Sequence, residues 1–564
     1  MKRSISTIIL FLFIVKGNNA QKIRSIEKEF PLNWSTEIGN VTYRTNLISA
    51  GNYLLIGSNG NSYRDYSIDN KNGLKVIDPK KGKVKRVILG ESFGDVDVNG
   101  VIVHDNKIYF GNDNDEFVCV DILGNIQWRL PLSGDVEHEP IIIDNDNKKL
   151  IVFATETGEL RAVNPDDGNT VWEYLHPKFK GWRQGDNRVV FKIKAHFTSG
   201  GIFFSKPAIA DLNRDGVKDL IYSCNYEETR AINGANGKLL WKIQRAENSK
   251  WSNDGSYHNT PIIAGKGSNL KVLIPQSDYN DGNGYLRKIN IHDRRGKFIK
   301  EYYCKTSIGN RGLNSLNISS EEVVIPNTTS TCVFNATNNQ FDFIYGINLK
   351  YTYTDWQNKQ QVGNRFSYDP LISNKLIKYK NEECIVVMFQ EDYGVDDSQA
   401  VLSIIGLESK KVHGRYHLPS GSEFAPHISD VNGDGKLDLL VGCYDGRLYC
   451  YNMGISSRNL LTKEKKYSLS ESTENNQIKI EDLSDEVKEN DLESIKDQGV
   501  MQKAVPDKVT KDITQKTSED DGDDSLSAAN LYLISYSSLA LLLLVGASIY
   551  LFRKNKEEDP VEQS

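Results

Sequence analysis

Short apolar segments separated by turn residues dominate the chain from Asn33 to Asn452. Val, Ile, Leu, Tyr and Phe cluster in runs too short for helices. Gly, Asn and Asp punctuate these runs, as is typical of β-strands joined by tight turns. No long segment has the apolar spacing of an amphipathic helix. The pattern therefore predicts an all-β fold.

One unit of this pattern repeats along the chain: an apolar strand, a turn, a Gly and often a Trp. Clear copies begin at Gly73, Glu116, Gly158, Glu228 and Gly284. Weaker copies begin at Phe343, Ala400 and Gly446. The copies lie about 42 to 70 residues apart, the spacing of four-stranded propeller blades with loop insertions. We therefore expect an eight-bladed β-propeller over residues 21–454, with seven blades as the alternative.

The last copy ends before its outer strand, and the N-terminal region supplies a strand that lacks its own blade. Asn33–Ile38 has the form of a Trp-bearing outer strand without inner strands before it. Pairing the two would close the ring and remove the free sheet edges. Trp also recurs at one repeat position, which predicts packing between blades; the set is Trp34, Trp128, Trp172, Trp241 and Trp356.

Two acidic loops place oxygen-bearing side chains at alternate positions, followed by a glycine. The ligand sets they predict are Asp211, Asn213, Asp215, the Val217 carbonyl and Asp219, and then Asp430, Asn432, Asp434, the Lys436 carbonyl and Asp438. A loop that wraps a hard cation presents every second side chain inward. Loop position 12 falls on Tyr222 and Val441, inside strand-like runs, so these are not EF-hands. They predict structural Ca²⁺ sites, with metal-free Asx-rich turns as the alternative.

The two ends of the chain have the patterns of a secreted, membrane-anchored protein. Residues 1–20 read as a signal peptide. Residues 455–529 are polar and acidic, which predicts a disordered stalk. Residues 531–552 are apolar and long enough for one transmembrane helix, and basic residues begin the cytoplasmic tail, 553–564. We expect a single-pass type I membrane protein whose ectodomain is extracellular, luminal or periplasmic.

Charge and cysteine usage remove several classes of function. The formal net charge is −6, and no basic patch of the nucleic-acid-binding kind occurs. Seven cysteines do not form a disulfide framework in a chain of 564 residues. Cys443 and Cys450 flank a turn and are either paired across a hairpin or buried as free thiols, as we expect for Cys119 and Cys224.

The repeat copies resemble the PQQ-like repeat of quinoprotein β-propellers, over about Asn33–Asn452. The acidic loops resemble the FG-GAP/VCBS calcium loops of integrin-α-like propellers. The first resemblance implies a quinoprotein enzyme only if its cofactor site is present. The chain has no adjacent cysteine pair and no haem motif, so we expect neither bound PQQ nor catalytic residues. Repeat resemblance then implies a fold, not an activity.

Ligands of propellers usually bind near the axis, where the innermost strands begin. Recurring x-x-Pro segments mark those starts, and the polar residues beside them are His138, Glu139, Lys206, His258 and Asp369. Ordinary solvated loop polarity is the simpler interpretation of each residue alone. Together they predict one ligand mouth.

These observations favour a non-enzymatic propeller that recognises a protein or glycan in adhesion, receptor or assembly work, with Ca²⁺ stabilising the ring. The alternative is an enzyme, either a quinoprotein oxidoreductase or a propeller-type polysaccharide lyase. Five sequons for N-glycosylation begin at Asn33, Asn40, Asn317, Asn327 and Asn335.

Overall fold

The computed structural model describes most of the region between residues 23 and 470. The ranges are 23–60, 71–90, 96–146, 148–177, 206–224, 228–244, 260–280, 284–304, 315–326, 330–346, 350–354, 360–364, 371–373, 375–390, 399–462 and 467–470. In these ranges no helix has the length and apolarity needed to cross a membrane. The predicted signal peptide, most of the stalk, the transmembrane segment and the tail lie outside the described residues.

The described residues form an all-β, eight-bladed propeller, so the seven-bladed alternative is wrong. Within blades 1 to 6 the strands are antiparallel and follow one another from the axis outward; blade 7 begins with two short strands that both pair with the next strand, and blade 8 takes its outer strand from the N-terminal region. Two short strands precede the first complete blade: β1 (Arg24–Ser25) and β2 (Leu32–Glu37). Blade 1 consists of β3 (Leu47–Ala50), β4 (Tyr53–Ser58), β5 (Gly73–Ile77) and β6 (Val84–Ile88), and blade 2 of β7 (Val101–His104), β8 (Lys107–Asn112), β9 (Glu116–Val120) and β10 (Ile126–Pro131). Blade 3 consists of β11 (Ile141–Asn145), β12 (Lys148–Ala154), β13 (Glu159–Val163) and β14 (Thr170–Leu175), and blade 4 of β15 (Ala208–Ala210), β16 (Asp219–Cys224), β17 (Glu228–Ile232) and β18 (Leu239–Gln244).

Blades 5 to 8 repeat the plan with longer strands and one added hairpin. They consist of β19 (Ile262–Ala264), β20 (Lys271–Asn280), β21 (Gly284–Asp293), β22 (Phe298–Cys304); β23 (Leu316–Asn317), β24 (Glu322–Pro326), β25 (Ser330–Asn335), β26 (Gln340–Gly346); the hairpin β27 (Lys350–Thr354) and β28 (Gln360–Asn364); β29 (Leu371–Ile372), β30 (Ile377–Tyr379), β31 (Glu382–Gln390), β32 (Ala400–Gly406), β33 (Val412–His417); β34 (His427–Ser429), β35 (Lys436–Gly442) and β36 (Arg447–Ser456). Within the described ranges, single 3-10 turns occur at Ile26–Lys28, Gly267–Asn269 and Ser457–Asn459.

The N-terminal strand closes the ring, as the sequence predicts. Strand β2 pairs antiparallel with β36 and becomes the outer strand of blade 8. Trp34 lies opposite Cys450 in this pairing. Strand β1 adds in parallel to β33 at the outer edge of blade 7. Closure joins the first and last parts of the propeller and covers the edge of β36.

The recurring Trp residues join neighbouring blades, which confirms their predicted packing role at four positions. The indole of Trp34 donates a hydrogen bond to the Pro79 carbonyl of blade 1 at 2.9 Å. Gly82 lies against the indole of Trp34, and a Cβ at this position would approach the indole to 2.5 Å. Three further Trp residues make the same two contacts, a hydrogen bond to a carbonyl of the next blade and packing against a turn glycine. The sets are Trp128 with the Pro165 carbonyl and Gly168, Trp172 with the Gly234 carbonyl and Gly237, and Trp241 with the Arg294 carbonyl and Gly296. Trp356 lies outside the described residues.

The repeat copy predicted at Phe343 is wrong. The third strand of blade 6 is β25, and Phe343 belongs to the outer strand β26. The true third and outer strands of blade 6 lie in residues 330–346, which contain no Trp and no glycine in the turn before the outer strand, so the sequence pattern pointed instead to the later segment that ends in Trp356.

The six cysteines whose side chains the structure describes are buried free thiols. Cys443 and Cys450 are free, as are Cys119 and Cys224, and each is at most 1% exposed. The Cys443–Cys450 pairing left open by the sequence is therefore not formed.

Candidate functional site

The two faces of the ring differ in the lengths of their connections. On one face lie the turns from each inner strand to the second and from the third strand to the outer; the longest, residues 211–218, has eight residues. We call this the short-connection face. The other face carries the turns from each second strand to the third and the connections between blades, and those connections run from nine residues to the 32 of residues 176–207. We call this the long-connection face.

Both acidic loops lie on the short-connection face, between the inner and second strands of blades 4 and 8. In the blade 4 loop the side chains already cap the backbone. Asp211 accepts hydrogen bonds from the N–H groups of Arg214 and Gly216, at 2.6 and 3.2 Å. Asp215 accepts one from Val217 N–H at 2.8 Å, and its second oxygen accepts from the Asn233 amide at 2.9 Å. This loop is held by its own hydrogen bonds.

The blade 8 loop has the same turn geometry with fewer internal partners. Asp430 accepts from Gly435 N–H at 3.0 Å, and Asp434 accepts from Lys436 N–H at 2.8 Å. The Oδ1 atom of Asp430 is buried and has no hydrogen-bond donor. Gly433 and Gly435 have positive φ values of 75° and 84°. A buried carboxylate oxygen without a donor is unfavourable unless a cation or water satisfies it.

The carboxylates at loop position 9 are fully buried in both blades. Asp219 accepts hydrogen bonds from the N–H groups of Leu212 and Gly234, at 2.8 and 3.1 Å. Asp438 accepts from Val431 N–H at 3.1 Å and from the side chain of Asn33 at 2.8 Å. Burial raises the pKa of each carboxyl to about 6, against the opposing effect of the backbone donors. Other loop carboxylates add to the rise.

The donor set of these loops fits a hard cation better in blade 8 than in blade 4. Carboxylate and amide oxygens are the ligands that Ca²⁺ takes in proteins, together with backbone carbonyls such as those of Val217 and Lys436. Among the described residues, no group of three His, Cys, Asp or Glu side chains is gathered as a preformed metal cluster. In both loops Asp219 and Asp438 point at backbone or amide donors instead. The orphaned oxygen of Asp430 is the atom that a cation would satisfy.

A network of ion pairs occupies the axial rim of the long-connection face. It links the segments that precede the inner strands of blades 1 to 4. Arg44 pairs with Glu137, which also accepts a hydrogen bond from Asn99 at 3.1 Å. Glu139 pairs with Lys206 and accepts from Asn46 at 2.7 Å. Each carboxylate is thus neutralised by a cation from another connection.

His138 belongs to the rim but does not face the ion pairs. Its Nδ1 lies 3.0 Å from the Glu139 carbonyl, and its ring packs 5.8 Å from that of Tyr222. The side chain is buried, and burial lowers the pKa of His138 to about 4. His138 is therefore neutral at pH 7 and serves as a packed residue of the rim.

The structure brings together two of the five residues predicted for the ligand mouth. Glu139 and Lys206 form an ion pair, and His138 lies beside them with its ring buried. His258 and Asp369 lie outside the described residues. Sequence reasoning missed four members of the rim, Arg44, Asn46, Asn99 and Glu137, because the repeat pattern does not extend into the connections between blades. Their one shared signal is position a few residues before an inner strand.

Comparisons with known proteins agree with the fold. Residues 90–274 match a family model of PQQ-type repeats described as the outer membrane protein assembly factor BamB. This match runs from the connection before blade 2 into the second strand of blade 5, about a third of the chain. No curated protein sequence matches.

Solved structures of similar fold are distant in sequence. BamB from Moraxella catarrhalis is 11% identical, with 75% of this chain and 99% of that chain covered and a TM-score of 0.45. The Dos1 propeller is 12% identical, with 79% and 99% covered and a TM-score of 0.46. A europium-containing methanol dehydrogenase is 12% identical, with 77% and 95% covered and a TM-score of 0.46. Likenesses this distant carry no function to this chain. The architecture is that of a propeller, and the family model supports PQQ-type repeats over residues 90–274.

Proposed function

We propose that this protein is a membrane-anchored recognition propeller without catalytic activity, which binds a protein or glycan ligand through its long-connection face. Residues 531–552 would anchor it, with the ring on the extracellular, luminal or periplasmic side. Ca²⁺ in the acidic loops would stabilise the opposite face. PQQ has no place in this proposal.

The observation that carries the proposal is the unequal distribution of insertions between the faces. The connections that join consecutive blades have nine to 32 residues, and one of them contains the added hairpin β27–β28, whereas no turn of the short-connection face exceeds eight residues. Binding residues concentrate in loops held by a rigid scaffold. The axial rim, with its paired Glu139 and Lys206, supplies that scaffold on the same face.

One finding favours an assembly role within this proposal. The family model that matches residues 90–274 is described as an assembly factor. That segment contains the rim residues Glu137, Glu139 and Lys206. Assembly work would use the long-connection face to hold a protein partner, so it differs from adhesion in the ligand and not in the surface. The enzyme alternative, a quinoprotein or a polysaccharide lyase, requires turnover and is tested by the same preparation.

The test is site-specific photocrosslinking on the surface of cells that express the full chain. A photoreactive phenylalanine analogue replaces either Asn114, exposed in a connection of the long-connection face, or Lys81, exposed in a turn of the opposite face. We expect one discrete crosslinked partner from position 114 and none from position 81. Equal crosslinking from both positions, or turnover after addition of PQQ or acidic polysaccharide to the purified chain, would overturn the proposal.

A calorimetric measurement tests the calcium part separately. The purified protein is heated in the presence of Ca²⁺, EDTA or PQQ. Bound Ca²⁺, a higher melting temperature with Ca²⁺ than with EDTA, and indifference to PQQ are the expected results. A melting temperature raised by PQQ would redirect the search to a cofactor site at the axis.

A further inference from the structure

The chain does not leave the ring where the last strand of the repeat pattern ends. Strand β36 continues to Ser456, and the turn Ser457–Asn459 follows, with Ser457 N–H bonded to the Gly435 carbonyl of the blade 8 loop at 2.9 Å. Residues 457–462 and 467–470 then contact the inner strands of blades 7 and 1 and the turn after the inner strand of blade 2. We name these two segments together the axial clasp. The sequence assigned them to the stalk because they lie beyond the last repeat, at the start of a long segment that is polar as a whole.

The first part of the clasp contacts the inner strand of blade 7. Leu460 forms an antiparallel β-bridge with Ile377. Leu461 N–H donates to the Leu376 carbonyl at 2.8 Å, and Leu376 N–H donates to the Thr462 hydroxyl at 2.8 Å. Leu460 also packs against the core shared by blades 7 and 8. The inner edge of blade 7 is thus paired with the clasp.

The second part of the clasp contacts blades 1 and 2. Tyr467 forms a parallel β-bridge with Ala50 and accepts a hydrogen bond from Gly51 N–H at 3.1 Å. Leu469 is 4% exposed and belongs to the core between blades 1 and 2. Ser470 exchanges two hydrogen bonds with the side chain of Asn106, at 2.7 and 3.0 Å. These contacts cover the inner edge of blade 1.

The two segments of the clasp therefore contact blade 7 and blades 1 and 2, which lie on either side of blade 8, the blade that closes the ring. The inner strands of blades 7 and 1 run in the same direction, and the clasp is antiparallel to one and parallel to the other. We infer that the clasp is a second closure of the ring: strand β2 holds blade 8 from the outside, and the clasp holds its neighbours from the axis. The clasp also occupies the axial side of the short-connection face, which leaves the opposite face for ligands.

Gly51 gives independent evidence that the sequence of blade 1 is adapted to the clasp. It is the first residue of the turn after the inner strand, with φ of 57°. The equivalent turns of blades 2 and 3 have Asp105 and Asp146 at this place, each with φ of 45°. Aspartate is thus acceptable in this turn. At Gly51, however, a Cβ would lie 2.4 Å from the Leu469 carbonyl oxygen, so only glycine leaves room for the clasp.

The experiment uses the purified full chain and the substitution Gly51→Asp. The turn itself accepts aspartate, so the expected loss of several degrees in melting temperature comes from displacement of the clasp. Hydrogen exchange should become faster in peptides that contain Gly51 and in peptides that contain β2. The control is Asn52→Asp, which places the same charge on the exposed neighbouring residue and should leave both readouts unchanged.

A second background separates the clasp from any local effect of the new side chain. In it, Tyr467–Ser470 is replaced by Gly-Ser-Gly-Ser within the full chain. This replacement should reproduce the loss caused by Gly51→Asp, and adding Gly51→Asp to it should cause no further loss. A replacement that melts like wild type, or a Gly51→Asp loss of equal size in both backgrounds, would overturn the inference. Neither result depends on the ligand, so failure here is distinguishable from failure of the recognition proposal.

Discussion

The two acidic loops have nearly the same sequence pattern and different surroundings. In blade 4, both oxygens of Asp219 accept hydrogen bonds from backbone N–H groups, and Asp211 and Asp215 have a donor for each oxygen. In blade 8, Asp430 keeps a buried oxygen without a donor. One oxygen of the buried Asp438 accepts from Val431 N–H of its own loop, and the other accepts from Asn33 of the closing strand, where blade 4 uses Gly234 N–H. Each carboxylate oxygen of Asp211, Asp215 and Asp219 thus has a donor within blade 4. The blade 8 loop instead takes one donor from strand β2 and leaves one carboxylate oxygen without a donor.

This difference shows that a ligand-like spacing does not by itself determine the state of a loop. Both loops satisfy the sequence rule for a wrapped cation. The blade 4 loop is close to a metal-free Asx-rich turn, the alternative that the sequence left open. The blade 8 loop has the unmet oxygen, and it also touches the closing strand and the clasp. We therefore expect Ca²⁺ to matter more in blade 8, and four predictions test this comparison.

The largest expected effect is on calcium-dependent stability. At a Ca²⁺ concentration about 20-fold above the dissociation constant, binding contributes about 2 kcal/mol to the free energy of unfolding. Asp434→Ala should remove most of the difference between melting with Ca²⁺ and with EDTA, and Asp215→Ala should remove less of it. Wild type that melts identically in both conditions would eliminate the metal sites. A larger loss from Asp215→Ala would reverse the comparison.

The next effect concerns pH in the presence of EDTA. The folded-state pKa of Asp438 is raised to about 6, and that of an unfolded Asp is about 3.9. The folded state therefore binds more protons between these values, and the contribution of Asp438 to stability is lost as the pH rises through 6. When the pH is lowered from 7 to 5, the free energy of unfolding of wild type should rise by about 1 kcal/mol relative to that of Asp438→Asn.

The stability of wild type relative to Asp219→Asn should depend on pH in the same way in EDTA, because burial raises the pKa of Asp219 to about 6 as well. Added Ca²⁺ should weaken the dependence in wild type, since a cation favours the ionised carboxylate. Denaturant unfolding at both pH values measures this. A gap between wild type and variant that stays constant with pH would contradict the prediction.

Removing the side chain that joins the blade 8 loop to the closing strand should have a smaller effect. Asn33→Ala removes the hydrogen bond to Asp438 and should cost about 1 kcal/mol. Exchange of amide hydrogens in β2 should accelerate. The control is Asn233→Ala, which removes a partner of Asp215 in blade 4 and should leave exchange in β2 unchanged. Equal exchange changes from both variants would show that the loop is not coupled to closure.

The smallest effect concerns a strained residue of the blade 4 loop. Arg214 has φ of 69°, and the equivalent residue of blade 8 is Gly433, with φ of 75°. Arg214→Gly should stabilise the protein by about 0.5 kcal/mol, because glycine adopts this conformation without steric cost. Gly433→Arg should destabilise it by a similar amount, since its surroundings are open and only the backbone is affected. Thermal melting in EDTA compares the pair.

Much of the ring follows from periodicity in the sequence. Trp34 occupies the repeat position of an outer strand, and this alone predicted closure by β2. The described Trp residues mark the outer strands because each packs against a turn glycine of the next blade. The Trp of one blade and the glycine of the next therefore recur together in the sequence. Between blades 1 and 2, Arg86 replaces Trp and donates to the Ile122 carbonyl at 2.6 Å. Blade 6 lacks the marker, and there the prediction from Phe343 was wrong.

The remaining features depend on contacts that no periodicity encodes. Arg44 and Glu137 of the rim are 93 residues apart in the sequence, as are Asn46 and Glu139. Only the geometry of the ring brings the members of each pair together. The clasp is similar, since its few apolar residues stand at the start of a long segment whose polar composition is that of a solvated stalk. One signal was present: Gly51 stands where two other blades have aspartate. Its meaning becomes clear only when Leu469 is placed beside it.

Ring closure has a consequence for the order in which the protein is made. Asn33 and its partner Asp438 are separated by 405 residues. At roughly 5–20 residues per second, synthesis of that interval takes about 20–80 s. During this time Leu32–Glu37 has left the ribosome without the strand it will pair with. The first strand to emerge is therefore among the last to find its place, and the nascent chain must keep it from other edges until blade 8 is complete.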